Sequence, residues 1–258
     1  MEKETDLILY ERRGRVAVIT LNRPPANALS MAMYQAMGDR IDQLNADESV
    51  HAAVITSSSP RVFCGGADIK EMIGLTYETR RARHAFVEQM WAKLGTAALP
   101  IVCAIAGAAV GGGPVMASLC DHRIAADDAY FSLPEIDRGT VAGGGVFLRK
   151  MGVSPSVLRE ILYTGRRYDA AEALAVGMID KVVPRAQLMA TAMALAETIA
   201  GKERVALVHM KRGILVTEAI PGWQAGYHAS HAVSADMTRA SGAAKEKMAA
   251  FLAKSGRQ

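Results

Sequence analysis

The chain of 258 residues is predicted to be an α/β protein, a strand-bearing core followed by a subdomain made of helices alone. Short β-branched apolar runs alternate with turns and with segments whose apolar residues recur at helical spacing. Strand signals end at Val182-Val183-Pro184, since proline cannot continue a ladder. Beyond it Leu188, Ala192, Leu195 and Ile199 form one helical stripe. That order of elements packs as an α/β body with appended helices.

Arg15 to Leu21 is β-branched and almost continuously apolar, a strand covered on at least one face, and Asn22-Arg23-Pro24-Pro25 ends it. Ser30 is the N-cap of a helix whose Met33, Met37, Ile41 and Leu44 face one side. His51 to Thr56 is the next strand, and Ser57-Ser58-Ser59-Pro60 leads into the turn Phe63-Cys64-Gly65-Gly66-Ala67-Asp68. Lys70 to Ala98 is a charged, Arg-rich helical segment broken around Gly74, placed to cover the site from outside. Pro100 opens the strand Ile101 to Ile105, after which Gly111-Gly112-Gly113 starts a helix at Val115 to Leu119. Arg123-Ile124-Ala125 and Tyr130-Phe131-Ser132 are short strands before Pro134-Glu135, and Gly143-Gly144-Gly145 is another permissive turn. Helices follow at Val157 to Tyr163, Ala170 to Val176, Arg204 to Val216 and Ala243 to Ala253.

Half of the residues are hydrophobic but only 5% aromatic, so the core is built from Ala, Val, Ile, Leu and Met. The formal net charge of +4 is spread along the chain. Its densest basic groups, Arg12-Arg13-Arg15 and Arg80-Arg81-Arg83, are too short for a nucleic-acid footprint and are read as solvated faces. Cys64, Cys103 and Cys120 have neither metal spacing nor an even-numbered disulfide framework. Met1 to Leu9 is charged, and no run reaches the roughly 18 apolar residues of a membrane span. A cytoplasmic protein without metal, membrane or nucleic-acid partner is expected.

The chemistry concentrates at the two glycine turns. Gly111 to Gly113 come where a strand hands over to a helix, and Gly65-Gly66 again follow an apolar strand. Glycine lets backbone N–H groups approach a ligand with no Cβ in the way. Brought together, the turns would aim two N–H groups at one oxygen, as an oxyanion hole does.

Asn22-Arg23-Pro24, Phe63 to Lys70, Ala106-Gly107 leading to Gly111-Gly112-Gly113, Cys120-Asp121, Pro134-Glu135 and Gly177 to Val183 resemble, in this order, the crotonase superfamily of enoyl-CoA hydratases and isomerases. The resemblance implies a crotonase-like spiral of ββα units over 1–184, a C-terminal helical subdomain over 185–258, and assembly as a homotrimer or dimer of trimers. It implies an acyl-CoA substrate, with CoA part of the substrate rather than a separate cofactor. The thioester oxygen would lie between the amides of Ala67 and Gly112. Gly65, Ala67, Asp68 and Ile69 resemble the adenine-binding loop, Arg23 stands where a basic residue meets CoA phosphates, and Phe251 with Lys254 resembles the pair that reaches the 3′-phosphate end.

The departure lies at Val115. In the hydratases of this superfamily one glutamate follows the oxyanion glycine by three residues and a second lies in the Pro-Glu motif. Here the first position is Val115 and the second is kept as Glu135. Adding water needs a base on the incoming oxygen and an acid at the α-carbon, and Val115 supplies neither. One carboxylate suffices to move a proton, so the pattern resembles Δ3,Δ2-enoyl-CoA isomerases, with Glu135 as acid/base in a pocket apolar enough to raise its pKa.

The alternatives are a hydratase with an altered site, a decarboxylase or C–C hydrolase, or a noncatalytic acyl-CoA binder. Among other residues, Asp137 is a second carboxylate nearby, Asp121 and His122 satisfy buried backbone groups, His84 belongs to the covering segment, and Cys64 is a packed thiol rather than a nucleophile.

Overall fold

The computed structural model describes residues 7–240, 246–250 and 253. It divides into two units, one ending at Gly201 and one beginning at Lys202.

The first unit holds two sheets. The larger has six strands in the order β1 (Ile8–Arg13), β2 (Val16–Leu21), β3 (Ala52–Ser57), β5 (Ile101–Ile105), β7 (His122–Ala126) and β10 (Lys181–Val183). Only β1 and β2 run antiparallel; the other neighbours are parallel. The smaller sheet orders β4 (Val62–Cys64), β6 (Ala108–Val110), β8 (Tyr130–Ser132) and β9 (Tyr168–Asp169), parallel apart from the last pair. Strands alternate between the sheets along the chain: β3 then β4, β5 then β6, β7 then β8. Each turn of this spiral thus gives one strand to each layer, as the expected ββα pattern requires.

Both faces of the larger sheet are covered, which is why its strands are continuous apolar runs. Val16, Val54, Val102, Ala104 and Ile124 pack against α8 (Leu188–Ala200) through Leu188, Ala192, Ala196 and Ala200. The alternate positions Ile19, Ala53, Ile55 and Ile101 are equally buried. Helix α1 (Met31–Ala46) is capped by Ser30, whose side chain accepts from the Met33 amide, and the expected stripe of Met33, Met37, Ile41 and Leu44 is buried. The covering segment breaks as expected: α2 (Ile69–Met72), then Gly74 at φ +83°, then α3 (Tyr77–Gly95).

One six-residue strand was not foreseen, and two expectations need correction. The charged opening of the chain contains strand β1, whose Glu11, Arg12 and Arg13 belong to the exposed edge of the sheet while Ile8 is buried; charge on an edge strand guards against pairing with other chains. The helix placed at Val115 to Leu119 begins earlier, as α4 (Gly112–Ser118) with Pro114 in its first turn. Finally, α8 belongs to the unit with the sheets, because its small residues let it lie against them; the second unit starts at Lys202 rather than at 185.

The rest of the first unit contains α5 (Gly145–Lys150), α6 (Pro155–Thr164) and α7 (Ala170–Ala175). An Asp169–Glu172 capping box starts α7. The second unit pairs α9 (Arg204–Ala219) with α10 (Trp223–Ala240), and Lys247 bonds Glu203 at 2.6 Å.

Candidate active site

The three parallel strands of the smaller sheet each end at a piece of the candidate site. Strand β4 runs into Gly65-Gly66-Ala67, β6 into Gly111-Gly112, and β8 into the short 3-10 turn Pro134–Arg138 that carries Glu135. Ligands of α/β sheets collect at such carboxyl ends.

The two glycine turns touch. A Cβ built on Gly66 would lie 3.4 Å from the Gly112 nitrogen and 3.0 Å from the Val110 carbonyl oxygen, while one on Gly111 would lie 3.4 Å from the Gly66 Cα. Gly66 (φ +83°) and Gly111 (φ +55°) also occupy backbone conformations that a side chain disfavours. Leu29 forms a parallel bridge to Ala67, made by the Leu29 amide to the Gly66 carbonyl (2.7 Å) and the Asp68 amide to the Leu29 carbonyl (3.1 Å). Amides alternate in direction along extended chain, so the Ala67 N–H points away from Leu29. Gly112 opens α4, and its amide therefore has no acceptor within the helix. Ala67 and Gly112 are both half-buried, within reach of a ligand.

Glu135 is drawn in by a backbone stitch. The Gly111 amide donates to the Ser132 carbonyl at 2.9 Å, which ties the end of β6 to the end of β8. Glu135 Oε1 then lies 2.8 Å from the position a Gly111 Cβ would take. Its Oε2 is buried with no hydrogen-bond partner among the described residues. Burial raises the Glu135 carboxyl above its ordinary range, against a smaller opposing pull from its own backbone amide and from Arg138. A carboxylate with a free oxygen beside two half-buried amides can take up and return a proton next to an oxygen that gathers negative charge.

Val115 is buried, and a Cβ on Gly144 would come 2.3 Å from its Cγ2. The Gly143–Gly145 turn therefore closes over Val115, and this position offers an apolar wall. Asp137 is exposed, with its carboxyl 3.1 Å from the Cβ position of Gly165. Asp121 accepts from the Ile101 amide at 2.7 Å, the backbone role expected of it. His122 is 3.5 Å from Asp180, and His84 is exposed on α3. Burial pushes the Cys64 thiol up to about 12, outweighing a bond from the Gly66 backbone, which suits a packed thiol.

The turn expected to bind adenine is cross-linked by short polar contacts. Arg23 places Nη2 2.8 Å from Asp68 and Nη1 2.8 Å from the Ala28 carbonyl. Burial works to raise the Asp68 carboxyl, but Arg23 and the Lys70 amide hold it below the usual carboxylate range. Asp68 also caps α2, beside the exposed Ile69, and the Gly65 amide bonds the Ala26 carbonyl at 2.8 Å. Phe251 and Lys254 lie outside the described residues.

One member of the site had no signal in the sequence. Asn27 is wholly buried at φ +47°, and its Nδ2 donates to Ser57 Oγ and to the carbonyls of Val62 and Phe63, while its Oδ1 accepts from the Arg23 amide. It fastens the loop bearing Arg23 to β4. Tolerance of the left-handed region is the only hint its residue type gives.

A two-sheet spiral with this order of turns is the crotonase fold. The crystal structure of an enoyl-CoA hydratase from Mycobacterium smegmatis superposes with a TM-score of 0.90 at 30% identity, covering 96% of each chain. In sequence, the profile of the enoyl-CoA hydratase/isomerase family matches residues 11–256, and the chain belongs to that family. It is 40% identical over 211 residues, 81% of either chain, to a probable enoyl-CoA hydratase of Mycobacterium leprae. It is also 32% identical over 252 residues, 96% of this chain and 95% of the other, to a crotonyl-CoA hydratase of Syntrophomonas wolfei.

Proposed function

We propose that the protein adds water across the double bond of a 2-enoyl-CoA thioester, with Glu135 as its acid/base and the amides of Ala67 and Gly112 as its oxyanion hole. The observation that carries this is the Glu135 carboxyl held against Gly111, where the two glycine turns meet. The relatives' names support hydration better than the double-bond shift that the sequence alone favours. In this reading Glu135 accepts a proton from water as the water oxygen bonds to C3, and the electrons of the double bond move onto the thioester oxygen between the two amides. The Glu135 acid then returns that proton to C2 and the carbonyl re-forms, so that one carboxyl serves both half-steps.

Val115 supports a second reading. With an apolar residue there and Asp137 turned outward, Glu135 is the carboxylate at the glycine turns, and it would remove the C2 proton of a 3-enoyl-CoA and return it at C4. Incubation with crotonyl-CoA and with a 3-enoyl-CoA separates the two. Formation of 3-hydroxybutyryl-CoA from crotonyl-CoA upholds hydration, whereas conversion of the 3-enoyl thioester without any hydration upholds the shift. Thioester binding with no deuterium uptake at the α-carbon would instead mark a noncatalytic binder and end both.

A trimer or dimer of trimers, CoA contacts by Arg23 and the Gly65–Ile69 turn, and a cytoplasmic location belong to the same proposal. The solution mass tests the first of these. Among the described residues no helix is long and apolar enough to cross a membrane.

A further inference from the structure

The basic group Arg80-Arg81-Arg83 was expected to be a solvated face. Arg81 is exposed and Arg80 half-buried, but Arg83 is 8% exposed. Its Cζ lies 5.8 Å from the centre of the Tyr34 ring, and its Nε and Nη2 are sealed from solvent with no hydrogen-bond partner among the described residues. A charge taken out of water is costly unless it is paired, and arginine does not escape by losing its proton. Glu71, which acts on the same Tyr34, accepts from the Met31 amide through Oε2 at 2.9 Å and forms no ion pair with Arg83.

The two unpaired nitrogens share one edge of the guanidinium, the edge that takes a carboxylate in two parallel bonds. Arg13 shows that pairing within this chain, where Nε and Nη2 each bond one oxygen of Glu11 at 2.9 Å. Arg83 also stands near the candidate site. The Tyr34 ring meets Trp91 edge-on with centroids 5.3 Å apart, and Trp91 Cζ2 lies 3.7 Å from the Cβ position of Gly112. Two aromatic rings thus lie between the proposed thioester amide and a buried cation that has the Tyr34 hydroxyl as a polar neighbour but no carboxylate on its Nε/Nη2 edge.

We propose that Arg83 is a specificity-determining residue that receives a second carboxylate, carried at the far end of the acyl chain. The preferred substrates are then thioesters of dicarboxylic acids. This rests on the acyl-thioester reading above. Both nitrogens are closed to solvent and Tyr34 and Trp91 are themselves buried, so in this proposal the acid reaches Arg83 as the two rings part on the side of the site.

The test is equilibrium binding to the wild-type protein of saturated thioesters, which need no turnover: glutaryl-, adipyl- and suberyl-CoA against pentanoyl-, hexanoyl- and octanoyl-CoA, with free CoA alongside. At one chain length the acid is expected to bind about tenfold or more tightly than its methyl-ended counterpart, the effect of a charge-assisted pair. In Arg83→Met the preference should vanish, and in Arg83→Lys, which lacks the planar fork, it should shrink. No preference at any length in the wild type overturns the proposal while leaving thioester chemistry intact. So does an equal loss of free CoA affinity in Arg83→Met, which would assign the anion to a CoA phosphate. Failure of every thioester to bind would instead sink the acyl-thioester reading itself and this inference with it.

Discussion

The two sheets of the first unit differ in what their strands do at their ends. In the six-stranded sheet, five- and six-residue strands such as β3 and β5 are buried along nearly their whole length, and hydrophobic burial fixes them in place. In the four-stranded sheet the strands are two or three residues long, and β4, β6 and β8 each stop at a turn that carries part of the candidate site. Stability is thus concentrated in one layer and chemistry in the other, so damage to the two should register in different measurements.

The largest expected effect falls at the end of β8. Glu135→Gln should lower turnover about a thousandfold, the contribution of a positioned acid/base, with thioester affinity kept and the fold no less stable. Undiminished turnover would remove Glu135 from the mechanism. In the larger sheet, Ile55→Ala should cost about 3 kcal/mol, as expected for a fully buried isoleucine. Urea denaturation reads that loss, while turnover per folded molecule stays at the wild-type value; a large drop in turnover would break the division between the layers.

Gly66→Ala tests the contact between the turns. The new methyl would meet the Val110 carbonyl at 3.0 Å in a left-handed conformation and push Ala67 from Gly112. Turnover should fall about a hundredfold, in line with losing one oxyanion donor, and by more than stability does.

The mildest effect is in pH dependence. Because burial raises the Glu135 carboxyl, turnover that needs the carboxylate should decline on acidification at a midpoint above the roughly 4.3 of a free glutamate. The stability effect has the opposite sign. The folded protein holds this proton more tightly than the unfolded chain, so the penalty of the buried charge is full above the folded pKa and fades as pH falls toward the unfolded value. Glu135→Gln should therefore gain most over wild type at neutral pH and least in acid, as urea midpoints across the range will show.

Legibility in the sequence divides along the same line. Strands β2, β3 and β5 are continuous apolar runs, and the stripe of α1 has clear helical spacing, so burial alone announced them. Strands β4 and β6 were missed because three residues beside a glycine turn carry no periodicity. Strand β1 was missed because the charges along its edge mask Ile8. Both glycine turns were legible from their residue type and Glu135 through a family likeness, while the meeting of the three is long-range geometry that spacing does not encode. Asn27 and Arg83 were illegible for a shared reason: each is a polar residue whose type predicts exposure, and only the fold shows that it is buried.

The alternation of strands between layers also sets an order of arrival. Ala67 belongs to the first turn of the spiral, Gly112 to the second and Glu135 to the third, so a chain lengthening from its N-terminus completes the amide cradle before the acid joins it. Domains folding during synthesis tend to settle N-terminal parts first. The Gly111 amide, bonded to the Ser132 carbonyl, joins the second turn to the third, so the cradle is locked only when the stretch bearing Glu135 arrives.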